Sequence, residues 1–279
     1  MSPTNAAIAS QIMTRKRYAI TELNAFARSP FAGVWPHLDK QTIVSEMRSR
    51  LHNPFKVDQG QQPFCGPASV LFELIRKQPL RYVQICRKLF EMGGFQAKNQ
   101  WIQTSEALRQ ASKGNLRMGQ ADWMVLSALR ESENRIFRVE PDAPEIMRNL
   151  AGMTKSWEMK GWVKEILGYE SVTYRHTYLL GDLSAMRQAQ AAIDTGGVAF
   201  ALITAEGMLN DSPKTGLAVP NHWVVLLDNI DITKGTFGRH DSGHISFDIY
   251  TWAQKRHIDM AEGPFENSLW GIVMGQQLS

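Results

Sequence analysis

The sequence predicts an α+β protein with a helical N-terminal half and strands concentrated towards its C-terminus. Three observations carry this. Apolar residues in the first half recur at three- and four-residue spacing, as in Val44, Met47 and Leu51. In the last third, β-branched and aromatic runs such as Val198–Ile203 and 222–228 alternate with polar turns. Between them, a polar, glycine-bearing loop delivers Cys65 to the first turn of the apolar helix that follows, Val70-Leu71-Phe72-Glu73-Leu74-Ile75.

Residues 1–17 are small and polar and read as a flexible tail, with one folded domain over 18–279. A first helix is expected over Lys40–His52, stopped by Asn53-Pro54. In the helix behind Cys65, Pro67 suits a first turn, where its missing N–H costs nothing. Pro79 opens the next helix, with Tyr82, Val83, Cys86, Leu89 and Phe90 inward and Gly93-Gly94 closing it. Short helices follow at 104–112 and 122–130, the latter with Asp122 as N-cap. Then come a strand at 136–139, a helix at 145–150 and a longer helix at 155–167 carrying Trp162, Val163 and Ile166. A strand at 171–178, a helix at 183–193 and the strand Val198–Ile203 lead into a long loop, 204–220. Loops of that length usually carry function. Strands at 222–228 and 245–251 flank a polar hairpin, and 269–274 is a last strand.

Composition narrows the function. Of 279 residues 43% are hydrophobic, enough for a sizeable core. Thirty-one basic and 27 acidic residues leave a net charge of +4, interspersed along the chain, which argues against a nucleic-acid surface. There is no run of about 18 apolar residues to span a membrane. Residues 1–20 lack the hydrophobic stretch of a Sec signal peptide, so synthesis in the cytoplasm is expected, with export by an injection apparatus open. Two cysteines do not make a disulfide scaffold. His240, Asp241 and His244 form the one metal-like cluster, but Gly238 and Gly243 around them read as a hairpin tip. There is no dinucleotide, phosphate-loop or paired-cysteine motif, and no cofactor is expected.

Cys65 would sit against the positive end of its helix dipole, a placement that lowers a thiol's pKa. Far downstream His222 opens the apolar strand Trp223-Val224-Val225-Leu226-Leu227, and Asp248 lies on the next strand. Cysteine at a helix N-terminus, histidine at a strand start and a carboxylate beside it make a nucleophile, base and orienter. If the hairpin turns near Gly235, antiparallel pairing sets residues whose numbers sum to about 470 opposite each other, which brings His222 to Asp248. Asp241 and Asp228 remain alternatives for the third role.

Together these segments resemble the papain-like cysteine hydrolases. Gln59-Gly60 stands six and five residues before Cys65, where that family carries its oxyanion-hole Gln-Gly. The chain order Cys65, His222, Asp248 is the family's, and Thr251-Trp252 is similar to its Asn-Ser-Trp segment. The resemblance implies a helical N-terminal lobe holding the nucleophile helix and an antiparallel β-sheet C-terminal lobe. It implies Cys65 as nucleophile, His222 as base, Asp248 as orienter and Gln59 as oxyanion donor. The Cys-Gly-Pro-Ala segment and the His-Trp-Val-Val strand look most like bacterial effector toxins of this type. By that likeness the substrate is a protein in a target cell, and an immunity protein or a secretion adaptor is the expected partner. The same residues would serve a glutamine or asparagine deamidase or a peptidoglycan amidase, and a silent papain-like binding module is the non-enzymatic alternative.

Overall fold

A computed structural model describes residues 3–133, 154–177, 182–209, 220–233 and 243–277. Within it the chain falls into two compact units, Met1–Met153 and Thr154–Ser279. Together they hold mixed helix and an antiparallel sheet, the α+β class expected.

The first unit is mostly helical: α1 (Pro3–Arg28), α2 (Lys40–His52), α3 (Cys65–Lys77), α4 (Pro79–Met92), α5 (Glu106–Gln110) and α6 (Gln120–Glu133). A small hairpin, β1 (Gly94–Gln96) and β2 (Trp101–Gln103), interrupts them. Helix α3 is the hub. Every residue from Cys65 to Ile75 is buried, which its apolar composition requires, and α2, α4 and α6 surround it. Burying Leu71, Phe72, Leu74 and Ile75 is worth roughly 1.5–3 kcal/mol each. Helix α4 ends at Gly93 in the left-handed conformation (φ +71), as its glycine pair predicts. Two expectations change. The backbone is helical from Pro3, where a tail to residue 17 was expected. Helix α6 begins before Asp122, so that carboxylate is not its N-cap but a buried acceptor inside it.

The second unit is a seven-stranded antiparallel sheet with helices on both faces. Its elements are α7 (Ser156–Glu165), β3 (Ser171–His176), α8 (Asp182–Asp194), β4 (Val198–Ile203), α9 (Ala205–Leu209), β5 (His222–Leu226), β6 (Asp231–Thr233), β7 (His244–Thr251), β8 (Gln254–Ala261), α10 (Glu262–Glu266) and β9 (Leu269–Gln276). Strand order is β3-β9-β4-β5-β7-β6, with β8 also paired to β7. On one face Ala185, Met186 and Ala189 of α8 pack with Val224, Leu226, Ile245, Phe247 and Ile249. On the other, Gly275 lets Val163 and Tyr169 approach so closely that a Cβ would overlap them. Helix α9 lies inside the stretch expected to be all loop, 204–220, of which 210–219 falls outside the described residues. The expected elements at 136–139 and 145–150, and the hairpin tip with Gly235, Gly238, His240 and Asp241, also lie outside them.

Candidate functional site

In the first unit, residues 57–64 carry the chain onto α3, and the loop is tied down rather than draped. Gln62 N–H donates to the Gln59 carbonyl (3.1 Å), closing a turn, and Phe64 N–H donates to the Gln62 carbonyl (2.8 Å). Gly60 holds φ +55, and a Cβ there would overlap the Arg117 carbonyl oxygen, so only glycine passes. The anchor is Asp122. Its carboxylate accepts from Arg50 Nη2 (2.7 Å) and Nε (3.2 Å) and from the Asp58 N–H (3.1 Å). Burial pushes Asp122 up to about 6 against the pull of Arg50, and at neutral pH it stays ionised as the partner of that guanidinium.

Cys65 is the first residue of α3, and Phe64 before it supplies no side-chain cap. The thiol is in no disulfide and its residue is 9% exposed. Gln59 is half-buried and its Nε2 donates to the Gln62 carbonyl (3.0 Å), which commits one of the amide's two N–H groups. Cys86 is fully buried on α4, and desolvation holds its thiol protonated far above the ordinary range.

In the second unit His222 opens β5 and is 5% exposed. Burial pushes its imidazole down to about 4, with only partial opposition from the Glu206 carboxylate, so the ring is neutral at physiological pH. Its Nε2 lies 2.7 Å from Thr251 Oγ1, and the Trp252 indole stacks on it at 4.7 Å between centroids and 29° between planes. Among the described residues, Nδ1 has no hydrogen-bond partner.

Asp248 does not reach His222. Val225 pairs with Tyr250 and Leu226 with Ile249, so paired residues sum to 475. An odd sum in place of an even one flips every side chain to the other face. His222 therefore shares a face with Val224, Ile249 and Thr251, whereas Asp248 points from the opposite side. Its carboxylate accepts from Lys255 Nζ (2.8 Å), from His257 Nδ1 (2.9 Å) and from the Asn229 amide. Burial raises Asp248, but these donors outweigh it and hold it down to about 2. The odd parity is already present in the β6–β7 pairing, whose partners sum to 477, and the step to 475 at β5 leaves it unchanged. Asn229 takes φ +56, and β6 then pairs Asp231 with Ser246, two residues out of step with β5. Asp228 is exposed and 3.9 Å from Lys255. Asp241 lies outside the described residues.

No protein-family model matches this chain, and no curated protein matches it. Among the described residues no group of three or more His, Cys, Asp and Glu is placed to hold a metal ion, and His244 instead pairs with Asp259 (2.6 Å). Nor is any described helix long and apolar enough to cross a membrane.

The residue that sequence reasoning missed is Thr251. Continuing the β5–β7 register sets His222 opposite Ala253, which makes Thr251 its diagonal neighbour on the same face. The available signal was the Thr251-Trp252 pair itself, but its partner could not be fixed without the register.

Proposed function

We propose that this chain is a papain-like cysteine hydrolase in which Cys65 and His222 act as nucleophile and base on an amide. What carries the reading is the pair of prepared groups: a thiol on the first residue of a helix without a side-chain cap, and a neutral, buried imidazole whose Nε2 is occupied and whose Nδ1, among the described residues, is not. The first feature favours thiolate at the positive end of a helix. The second suits a general base, which must hold a lone pair at working pH. The register of chain order, Gln59-Gly60 spacing and the Cys65 helix adds the papain-like resemblance.

The chemistry follows. The Cys65 thiol proton passes to His222 Nδ1 as sulfur attacks the substrate carbonyl carbon. The oxyanion takes hydrogen bonds from the Cys65 N–H and from the uncommitted N–H of Gln59. Collapse breaks the C–N bond, the imidazolium gives its proton to the leaving amine, and a thioester remains. Water, deprotonated by the same ring, then releases the acid and regenerates the thiol. By resemblance the substrate is a protein of a target cell and the chain is an effector toxin.

The test is expression of wild type and Cys65→Ala in a sensitive cell, followed by a proteome-wide search for new protein termini and for deamidated side chains. New termini only with wild type support proteolysis, and one-dalton shifts without termini support deamidation. Identical proteomes for the two forms would remove the reading in which the substrate is a protein. On an identified substrate, Gln59→Ala should lower turnover by about a hundredfold, the scale of one lost oxyanion donor.

A further inference from the structure

The hydroxyl that meets the imidazole invites an assignment of its own. Thr251 ends β7, is 2% exposed, and places Oγ1 2.7 Å from His222 Nε2. The next two residues form the tight turn into β8 with both backbones left-handed, Trp252 at φ +45 and Ala253 at φ +60. Two-residue hairpin turns of this hand favour Asn-Gly, and a bulky indole there costs of order 1–3 kcal/mol. The turn places the Trp252 ring over His222, with the indole still 42% exposed on its outer side.

We propose that Thr251 is the positioning residue of His222, its hydroxyl accepting the Nε2 proton and so fixing the tautomer that leaves the Nδ1 lone pair as the base. The role rests on the reading of His222 as the base, but the tautomer can be observed without any substrate. A threonine hydroxyl differs from a carboxylate in this place. It carries no charge to stabilise imidazolium, so it orients the ring while raising its proton affinity less than a carboxylate would, in keeping with a buried ring that stays neutral. The stacked indole holds the ring plane, and the hydrogen bond chooses the rotation within that plane. Among the described residues, the charged group that acts on the ring is Glu206 on α9, which accepts from the Asn221 amide at 2.7 Å.

The experiment is nitrogen-15 spectroscopy of the histidine rings in the full chain at pH 7, on wild type, Thr251→Val and Thr251→Ser, with His222→Gln identifying the resonance. Wild type should show Nε2 protonated and Nδ1 bare. Thr251→Val, which keeps the shape and loses the acceptor, should show a mixture of tautomers, and Thr251→Ser should restore the single form. On an identified substrate, Thr251→Val should lower kcat about tenfold or more with KM little changed, and Thr251→Ser should recover most of it. A single Nε2–H tautomer in Thr251→Val, or a protonated Nδ1 in wild type, would overturn the assignment. The expected spectra together with a fully active Cys65→Ala would retain the assignment and reject the hydrolase.

Discussion

The burial of His222 has a thermodynamic consequence that needs no substrate. Its ordinary value is 6.5 and burial lowers it to about 4, so between those pH values the unfolded chain holds more protons than the folded one. Stability contributed by this residue is therefore complete above pH 6.5 and is lost as pH falls towards 4. At pH 7.5 the ring is neutral in both states. At pH 4.5 it is almost fully charged when unfolded and mostly neutral when folded, which amounts to about 2.5 kcal/mol against folding. His222→Gln removes the titration, so wild type should lose about 2.5 kcal/mol more than the variant between pH 7.5 and 4.5. Because the chain has two units, amide hydrogen exchange at Val224 and Leu226 is the suitable readout rather than a whole-chain signal. Equal losses in the two proteins would show that His222 titrates normally, and the buried neutral base would be refuted.

Three other perturbations separate the parts of the account. Asp122→Ala leaves the Arg50 guanidinium buried and unpaired and should cost about 3–5 kcal/mol, measured by denaturation and amide exchange along α3. Gly60→Ala forces a Cβ into the Arg117 carbonyl at positive φ and should cost about 1–3 kcal/mol, with slower alkylation of Cys65 as its loop shifts. Asp248→Ala removes an acceptor shared by Lys255, His257 and Asn229. It should loosen the β7–β8 hairpin by about 1–2 kcal/mol in amide exchange while leaving the His222 tautomer and turnover within about twofold of wild type.

Local pattern was highly informative, whereas long-range register was not. Lys40–His52, Val198–Ile203 and the start of α3 at Cys65 follow from apolar spacing and from Pro and Asn stops, all signals within a few residues. β8 escaped because it is a charged strand, Gln254-Lys255-Arg256-His257, paired among the described residues only to β7, where polar side chains protect an edge and leave no apolar run. Asp122 looked like a helix cap because the sequence offers no sign that Arg50, 72 residues earlier, comes back to it. The third role at the site failed on parity. Local alternation put Asp248 and Tyr250 on a common face and Thr251 on the other. Which of those faces His222 shares depends on the parity of the register, already odd where Asp231 pairs with Ser246, and alternation within each strand does not fix that parity.

The central claim is that Cys65 is an activated thiol that depends on His222. Alkylation of the native protein with a limiting amount of iodoacetamide at pH 7, followed by peptide mapping, tests it most directly. Cys65 should be modified and Cys86, fully buried with its thiol held protonated, should remain untouched until the protein unfolds. His222→Gln should slow modification of Cys65 by at least about tenfold, because the base that takes the thiol proton is gone. Modification of Cys86 first, or a Cys65 rate unchanged in His222→Gln, would contradict the account.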